Sequence, residues 1–484
     1  MPDTSARPLW TAAEVAAATG GVLHGDDRPI TSVTYNSREI VSGDLFLALK
    51  GARDGHEFTG DAFAAGAATA LVEHPVEGGA YVVVPDTLHG LEALGVAARE
   101  RAPHVKRGAV TGSVGKTSVT QAIKAGLDLA GHYDGGLAHG SIKSYNNHIG
   151  VPLTLARMPV ETQRAVFEIG MNAPGEIAPL SRFVAPHAAC VTTVGPVHIE
   201  AFTDGEAGVA REKASIFQGL VPGGAAVANG DAAFFGVLRD AAQAVGARLL
   251  TFGSDAGQDA RLLDFRTDAG GASVAAELFG RRIDYRLAQS GAHWGLNSLC
   301  VLLMLDALDV SLDTGLEALA GFQPLAGRGQ TRTVTLADGA FTLIDESYNA
   351  NPLSMAAGFK TLGARSVSGR RVVVVTDMLE LGDQSRDLHE GLAGPIDAAG
   401  LDLVHAAGPE MRWLYDALPA SRRGVWRATA AELAAEAALL VAPGDVVMVK
   451  GSNGSKASLV AKALANLNSA EGVPSSSDAP RALR

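Results

Sequence analysis

The sequence predicts an α/β protein of three domains: a small N-terminal α/β domain (residues 1–106), a central parallel-sheet domain (107–325) and a C-terminal parallel-sheet domain (326–467), followed by a disordered tail (468–484). Three observations predict it. A chain of 484 residues is several times the length of one domain, so a single core is not expected. Two separate series of short apolar runs, each run ending in a polar or glycine-containing loop, begin near residue 107 and again after "FQPLAGRGQTR". Runs apolar on both sides of a strand belong to parallel sheets covered by helices on each face.

The elements follow in order. In the first domain "DLFLALKG", "ATALVE" and "AYVVV" alternate with polar loops such as "ARDGHEF", and the unit closes near "RAPHVKRG". The central series is "GAVTG", "RAVFEIGMN", "HAACVTTVGP", "AAVANGD" and "RLLTFGS". The C-terminal series, "FTLIDESYN", "RRVVVVTDMLELG", "LDLVHAAG" and "GDVVMVKGSNG", predicts a Rossmann-like sheet. The Ser-, Pro-, Asp- and Ala-rich end "NSAEGVPSSSDAPRALR" lacks the apolar content to pack. Ligands of open α/β sheets sit beyond the carboxyl ends of the strands, so the polar residues after each run are the site candidates.

Composition narrows the function. A net charge of −12 and a pI near 5.5 argue against a nucleic-acid binder or a binder of anionic membranes, which leaves any anion site local. The two cysteines, Cys190 and Cys300, form no CxxC pair, so neither a disulfide framework nor a zinc knuckle is expected. No basic stretch leads into an apolar core at the N-terminus and no run of about 18 apolar residues occurs. No membrane insertion and a cytoplasmic location are the expectation.

"VTGSVGKTS" carries the chemistry. A strand ends at Gly112, and Val119, Ala122, Ile123 and Leu127 then recur at helical spacing, giving strand, loop and helix. Gly112 and Gly115 permit unusual dihedrals and let backbone N–H groups converge on an anion at the helix N-terminus. Lys116 supplies a cation for the outer phosphates and Thr117 a hydroxyl for magnesium, which makes the central domain P-loop-type. The strict pattern would place a glycine where Val110 stands. Glu168 interrupts the apolar "RAVFEIG", as a buried carboxylate holding a cation or as an edge-strand glutamate facing water. His198 in "TTVGPVHIEAF" is either a metal ligand or a satisfied loop histidine, and Lys213 in "GVAREKASIF" reads by itself as a solvated helix lysine.

As an ordered set, "TGSVGKTS", "SYNNHIGVPLTL", "FEIGMNAPGEI", "TTVGPVHIEAF", "GVAREK", "GAHWGLNSL", "GRG", "IDESYNANPLSM", "DMLELGDQSRDLHEGL" and "VKGSNGS" resemble the Mur ligases, ATP-dependent amide-forming enzymes of peptidoglycan synthesis. Through "SYNANP" with "DMLELG" the resemblance implies UDP-N-acetylmuramoyl-tripeptide and D-alanyl-D-alanine as substrates, and "NSREIVSGDLFLALKGARDGHEF" resembles the family's UDP-sugar-binding segment. The resemblance implies an ADP-forming ligase, acting as a monomer with ATP and Mg2+ through an acyl phosphate. It implies that Gly112, Ser113, Val114, Gly115, Lys116 and Thr117 hold ATP, with Asn297 at the adenine, Arg328 at the phosphates and Asp345 completing the nucleotide site. Thr117, Glu168, His198 and a CO2-derived carbamate on Lys213 are implied metal ligands, and Lys116, Lys213, His198, Glu168 and Arg328 the catalytic set. Ser37 and Arg38 are implied to hold the UDP-sugar, Asn146 and Asn147 to lie in the central substrate loop, and Tyr348, Asn349 and Asn351 to face the dipeptide. The chain departs from the family pattern at Asn36, Ser215, Trp294 and Asn453.

Two other readings share features. Folylpolyglutamate synthase has the same loop, carboxylate and modified lysine, but "SYNANP" and "NSRE" argue against it. A nucleotide-hydrolysing switch is the other, and no Asn-Lys-x-Asp guanine signature occurs.

Overall fold

The computed structural model describes residues 7–142, 144–268 and 270–468. Most of the expected tail lies outside them. Among the described residues the strands form sheets of two, five, nine and six strands. The chain divides into two compact units: one holds residues up to 266 with 272–287 and 294–322, the other residues from 323 on with 267–271 and 288–293.

In the first unit, the N-terminal sheet runs Val22–His24, Ala80–Val83, Thr69–Val72, Leu45–Leu47, Val33–Thr34, parallel except for its first pair. The central sheet places Lys106–Thr111 between Ala188–Val191 and Thr162–Glu168, in parallel register, with Leu137–Gly140 beyond the latter. On its other side follow Ala225–Asn229, Arg248–Gly253 and Ala260–Asp268, and the antiparallel hairpin Gly271–Leu278 and Arg281–Leu287 extends that edge. Alternation along these strands sorts the packing. Ala109, Ala165, Phe167, Ala189, Val191, Ala226 and Ala228 share one core with Val151 and Leu155, Ile177 and Leu180, Val209, and Leu238, from four different helices. Gly108, one position out of phase, lies against Met304 and Leu308, where an added Cβ would come within 3.2 Å of the first and 3.0 Å of the second.

The sequence reading separates residues 1–106 from 107–325, whereas these two sheets lie in one compact unit. A continuous seam joins them. Leu153 and Ala156 belong to the same apolar core as Leu91 and Leu94 of the helix Thr87–Glu100. Trp10 Nε1 donates to Ala156 O (2.8 Å) and Arg157 Nε to Val33 O (2.6 Å).

The second unit is an open sheet in the order Gln330–Leu336, Gly339–Glu346, Val446–Lys450, Arg371–Thr376, Leu403–Ala407, Arg423–Arg427, antiparallel only in its first pair. Val373, Val375 and Met448 pack with Met355, Phe359 and Ile396 in one core, while Val372, Val374, Val447 and Val449 pack with Leu433, Val460 and Leu464 in another. Helices cover both faces, as the two-sided apolar runs require. No helix among the described residues is long and apolar enough to cross a membrane.

Phe167 is fully buried one residue before Glu168, so Phe167→Ala should destabilise the first unit by about 3–5 kcal/mol, read as a lowered urea midpoint.

Candidate active site

The loop between the strand Lys106–Thr111 and the helix Lys116–Asp134 is held by its neighbour strand. Ser113 N donates to Thr193 O (2.8 Å), Ser113 Oγ donates to Gly195 O (3.0 Å) and accepts from Gly195 N (2.9 Å), and Thr192 Oγ1 donates to Val114 O (2.6 Å). Gly112 has φ 151, and a Cβ there would collide with the Thr192 hydroxyl. Gly115 has φ 88 and opens the helix without any side-chain cap hydrogen bond. A 19-residue helix therefore presents its first amides, and the positive end of its dipole, to the loop. Lys116 Nζ donates to Gly112 O (2.8 Å), across the mouth of the loop. Asn297, expected at the adenine, lies against this same loop: a Cβ on Gly115 would stand 3.3 Å from its Nδ2.

Glu168 ends an interior strand, so the water-facing edge reading is excluded. It is 1% exposed; its N–H donates to Ser141 Oγ (3.0 Å) and its Oε1 accepts from Asn146 Nδ2 (2.7 Å). Oε2, equally buried, has no hydrogen-bond partner among the described residues. An unsatisfied buried carboxylate oxygen costs free energy, and it fits a divalent cation, which is the test a metal site must pass here. Thr117, 8% exposed, lies 3.4 Å from the Ser144 hydroxyl. His198 is half-buried, with φ 53, at the start of the turn Ile199–Ala201. Among the described residues no three His, Cys, Asp or Glu form a ready-made metal cluster. Magnesium sites that rely on one or two carboxylates plus substrate phosphates need none.

Lys213 corrects the solvated-lysine reading, being 1% exposed on the helix Glu206–Ala214. Burial, reinforced by the nearby Lys116 charge and only partly opposed by Glu212, pushes its amine well below the usual lysine range. Glu212 is occupied elsewhere: its carboxylate accepts from Gly175 N and Ile177 N, both at 2.8 Å.

The substrate candidates of this unit sit on turns. Ser37 and Arg38 open a single helical turn capped by Asn36, whose Oδ1 accepts from Arg38 N (3.2 Å). Asparagine is among the residue types that favour this capping position. Asn147 Oδ1 accepts from Ile149 N (3.1 Å) and Gly150 N (2.9 Å), so Asn146 and Asn147 are divided between the carboxylate and the next helix.

In the second unit, the Arg328 guanidinium stacks 4.0 Å over the Tyr348 ring, Gly327 O accepts from Tyr348 N (3.1 Å) and Asp345 O accepts from Gly329 N (2.8 Å). Asp345 Oδ1 accepts from Ser347 N (3.1 Å) and Ser347 Oγ (2.5 Å). Arg328, Asp345 and Tyr348 therefore form one cluster at a strand end. Asn349 is exposed, whereas Asn351, 6% exposed, caps the helix Pro352–Gly363 in a reciprocal box with Ser354. The sequence reading missed Ser141, Thr192, Glu212, Lys450 and Ser452. Thr192 and Lys450 close apolar runs just as Glu168 does, and the same signal would have found them.

Three family descriptions match the chain: "Mur ligase family, catalytic domain" over residues 29–114, "Mur ligase middle domain" over 110–305, and "Mur ligase, glutamate ligase domain" over 327–453. UDP-N-acetylmuramoyl-tripeptide–D-alanyl-D-alanine ligase of Escherichia coli (strain K12) is 32% identical, covering 94% of this chain and 98% of that one. A crystal structure of MurF from Acinetobacter baumannii is 30% identical with a TM-score of 0.82, covering 95% of this chain and 98% of that one. Folylpolyglutamate synthase of Mycobacterium tuberculosis is similar in fold alone, at 18% identity and a TM-score of 0.58 over 79% of this chain and 95% of that one.

The depressed Lys213 amine fixes a pH dependence. The unfolded chain binds this proton and the native, unmodified chain resists it, so the stability penalty is full below the folded pKa and is relieved as pH rises towards 10.5, where a solvated lysine loses its proton. In CO2-free buffer, Lys213→Met should be more stable than the parent at pH 7, with the difference shrinking by pH 10 in urea titrations.

Proposed function

This chain belongs to the Mur ligase family, and from that premise we propose that it joins D-alanyl-D-alanine to UDP-N-acetylmuramoyl-tripeptide in the cytoplasm, with ATP converted to ADP and phosphate. The observation that carries the reading is the juxtaposition, within one unit, of an uncapped helix N-terminus, a pinned glycine loop and a carboxylate left half-unsatisfied.

An ionised carboxylate does not condense with an amine in water, because its oxygen is a poor leaving group. A terminal carboxylate oxygen of the tripeptide attacks the γ-phosphorus of ATP and ADP departs. The amine nitrogen of the dipeptide then attacks the acyl carbon, the C–O bond to phosphate breaks, and the amine proton is released. The loop amides and Lys116 receive the charge that spreads over the transferring phosphoryl group. Asn297 supports the loop and Asn146 orients Glu168. Thr117, Glu168 and His198 would hold magnesium, which supplies positive charge against the phosphates. Ser37 and Arg38 serve the UDP-sugar, and Tyr348 and Asn349 the dipeptide.

Lys213 we assign as a carbamate. Its surroundings disfavour the ammonium form and so favour the neutral amine, the form whose nitrogen attacks CO2 with loss of a proton. The product is an anion near Lys116 in place of a second repelling cation.

Steady phosphate release should require ATP, the nucleotide-tripeptide and the dipeptide together; sustained ATP turnover with neither substrate would overturn the ligase assignment. Lys213→Ala should lose about a hundredfold or more in kcat and regain part of it with added short carboxylates, whereas full activity would remove the carbamate.

A further inference from the structure

The strand Val446–Lys450 lies inside the second unit's sheet, between Gly339–Glu346 and Arg371–Thr376. It ends in a lysine that is 3% exposed. Lys450 Nζ donates to Asn349 O (3.1 Å) and pairs with Glu346 Oε2 (3.3 Å). Its stem runs beneath the helix Pro352–Gly363, 3.4 Å from where a Cβ on Gly358 would stand. Two residues on, Ser452 Oγ donates to Ala350 O (3.3 Å) and accepts from Leu379 N (3.0 Å), tying in the "DMLELG" loop. Alternate side chains from one strand end thus grip the consecutive carbonyls of Asn349 and Ala350, and the Asn351–Ser354 capping box fixes the next residue.

Burying a lysine to hold a main-chain carbonyl is a poor route to stability, since an apolar residue of similar volume serves the core at least as well. What the arrangement supplies is a loop set before its ligand arrives, which removes ordering cost at the moment of binding. We propose that Lys450 and Ser452 are positioning residues that clamp the 347–351 loop in the shape that receives the amine substrate. This rests on the assignment of that loop to the dipeptide. Neither side chain touches the reacting atoms; both act through Asn349 and Ala350.

Lys450→Met and Ser452→Ala separate this role from plain stability, because the first half-reaction precedes use of the dipeptide. In both variants the dipeptide KM should rise about tenfold to a hundredfold. Positional isotope exchange in ATP, measured with the nucleotide-tripeptide alone, should stay within about twofold of the parent, as the two grips fall on the carbonyls of Asn349 and Ala350 and not on Tyr348, over which Arg328 stacks. Amide hydrogen exchange over 347–351 should accelerate, a readout that holds whether or not the parent makes the dipeptide product. Should Lys450→Met fail to fold, Ser452→Ala, which buries no charge, carries the same comparison. An unchanged dipeptide KM with unchanged amide exchange in Ser452→Ala, or isotope exchange falling in parallel with dipeptide use, would overturn the clamp. A parent enzyme that makes no dipeptide-dependent product would instead overturn the function.

Discussion

Two charges that proteins ordinarily keep in water are buried in the central part of the first unit. Glu168 has one carboxylate oxygen satisfied and the other not, and Lys213 is held where the ammonium form is disfavoured and Lys116 repels it. Neither arrangement is stable for its own sake. Under the proposed function a cation at the carboxylate and a carbamate on the amine would relieve both. The glycine loop beside them is complete mechanically. Hydroxyl and carbonyl hydrogen bonds tie it to Thr192, Thr193 and Gly195. A glycine loop at a helix N-terminus beside a half-satisfied buried carboxylate is the arrangement on which the proposed metal-nucleotide site rests.

The fold supplies this arrangement cheaply. Parallel strands buried on both faces send their carboxyl ends to one rim, and the residue closing each run is forced to that rim whatever its polarity. Glu168 and Thr192 reach it in the central sheet, and Glu346 and Lys450 in the second unit's sheet. In each unit a rim side chain then grips main-chain atoms of a neighbouring loop, as Thr192 does for Val114 and Lys450 for Asn349. Loop shape is thereby written into strand register as well as into the loops' own glycines and caps.

That division explains what the sequence disclosed. The strand, loop and helix at 106–134 and the two-sided runs were legible because periodicity and glycine placement are local signals. Lys213 was not legible from its helix, whose residues carry no strong amphipathic pattern, and its burial comes from packing by distant segments. The backbone-binding roles of Asn147, before a helix start, and of Asn351, as a cap, were likewise hidden, since asparagine next to a helix start serves ligand or backbone equally well until hydrogen bonds are seen. The seam made by Trp10, Arg157 and the helix Thr87–Glu100 joins residues far apart in sequence, and no local pattern marks it.

Manganese in place of magnesium gives the most direct view of the buried charges, because its anomalous scattering locates the ion beside a non-hydrolysable ATP analogue in a crystal. The expected map shows an ion bonded to Glu168 beside the phosphates and branched density extending from the Lys213 amine. An ion held by the phosphates alone, with Glu168 still unsatisfied and Lys213 unmodified, would contradict it.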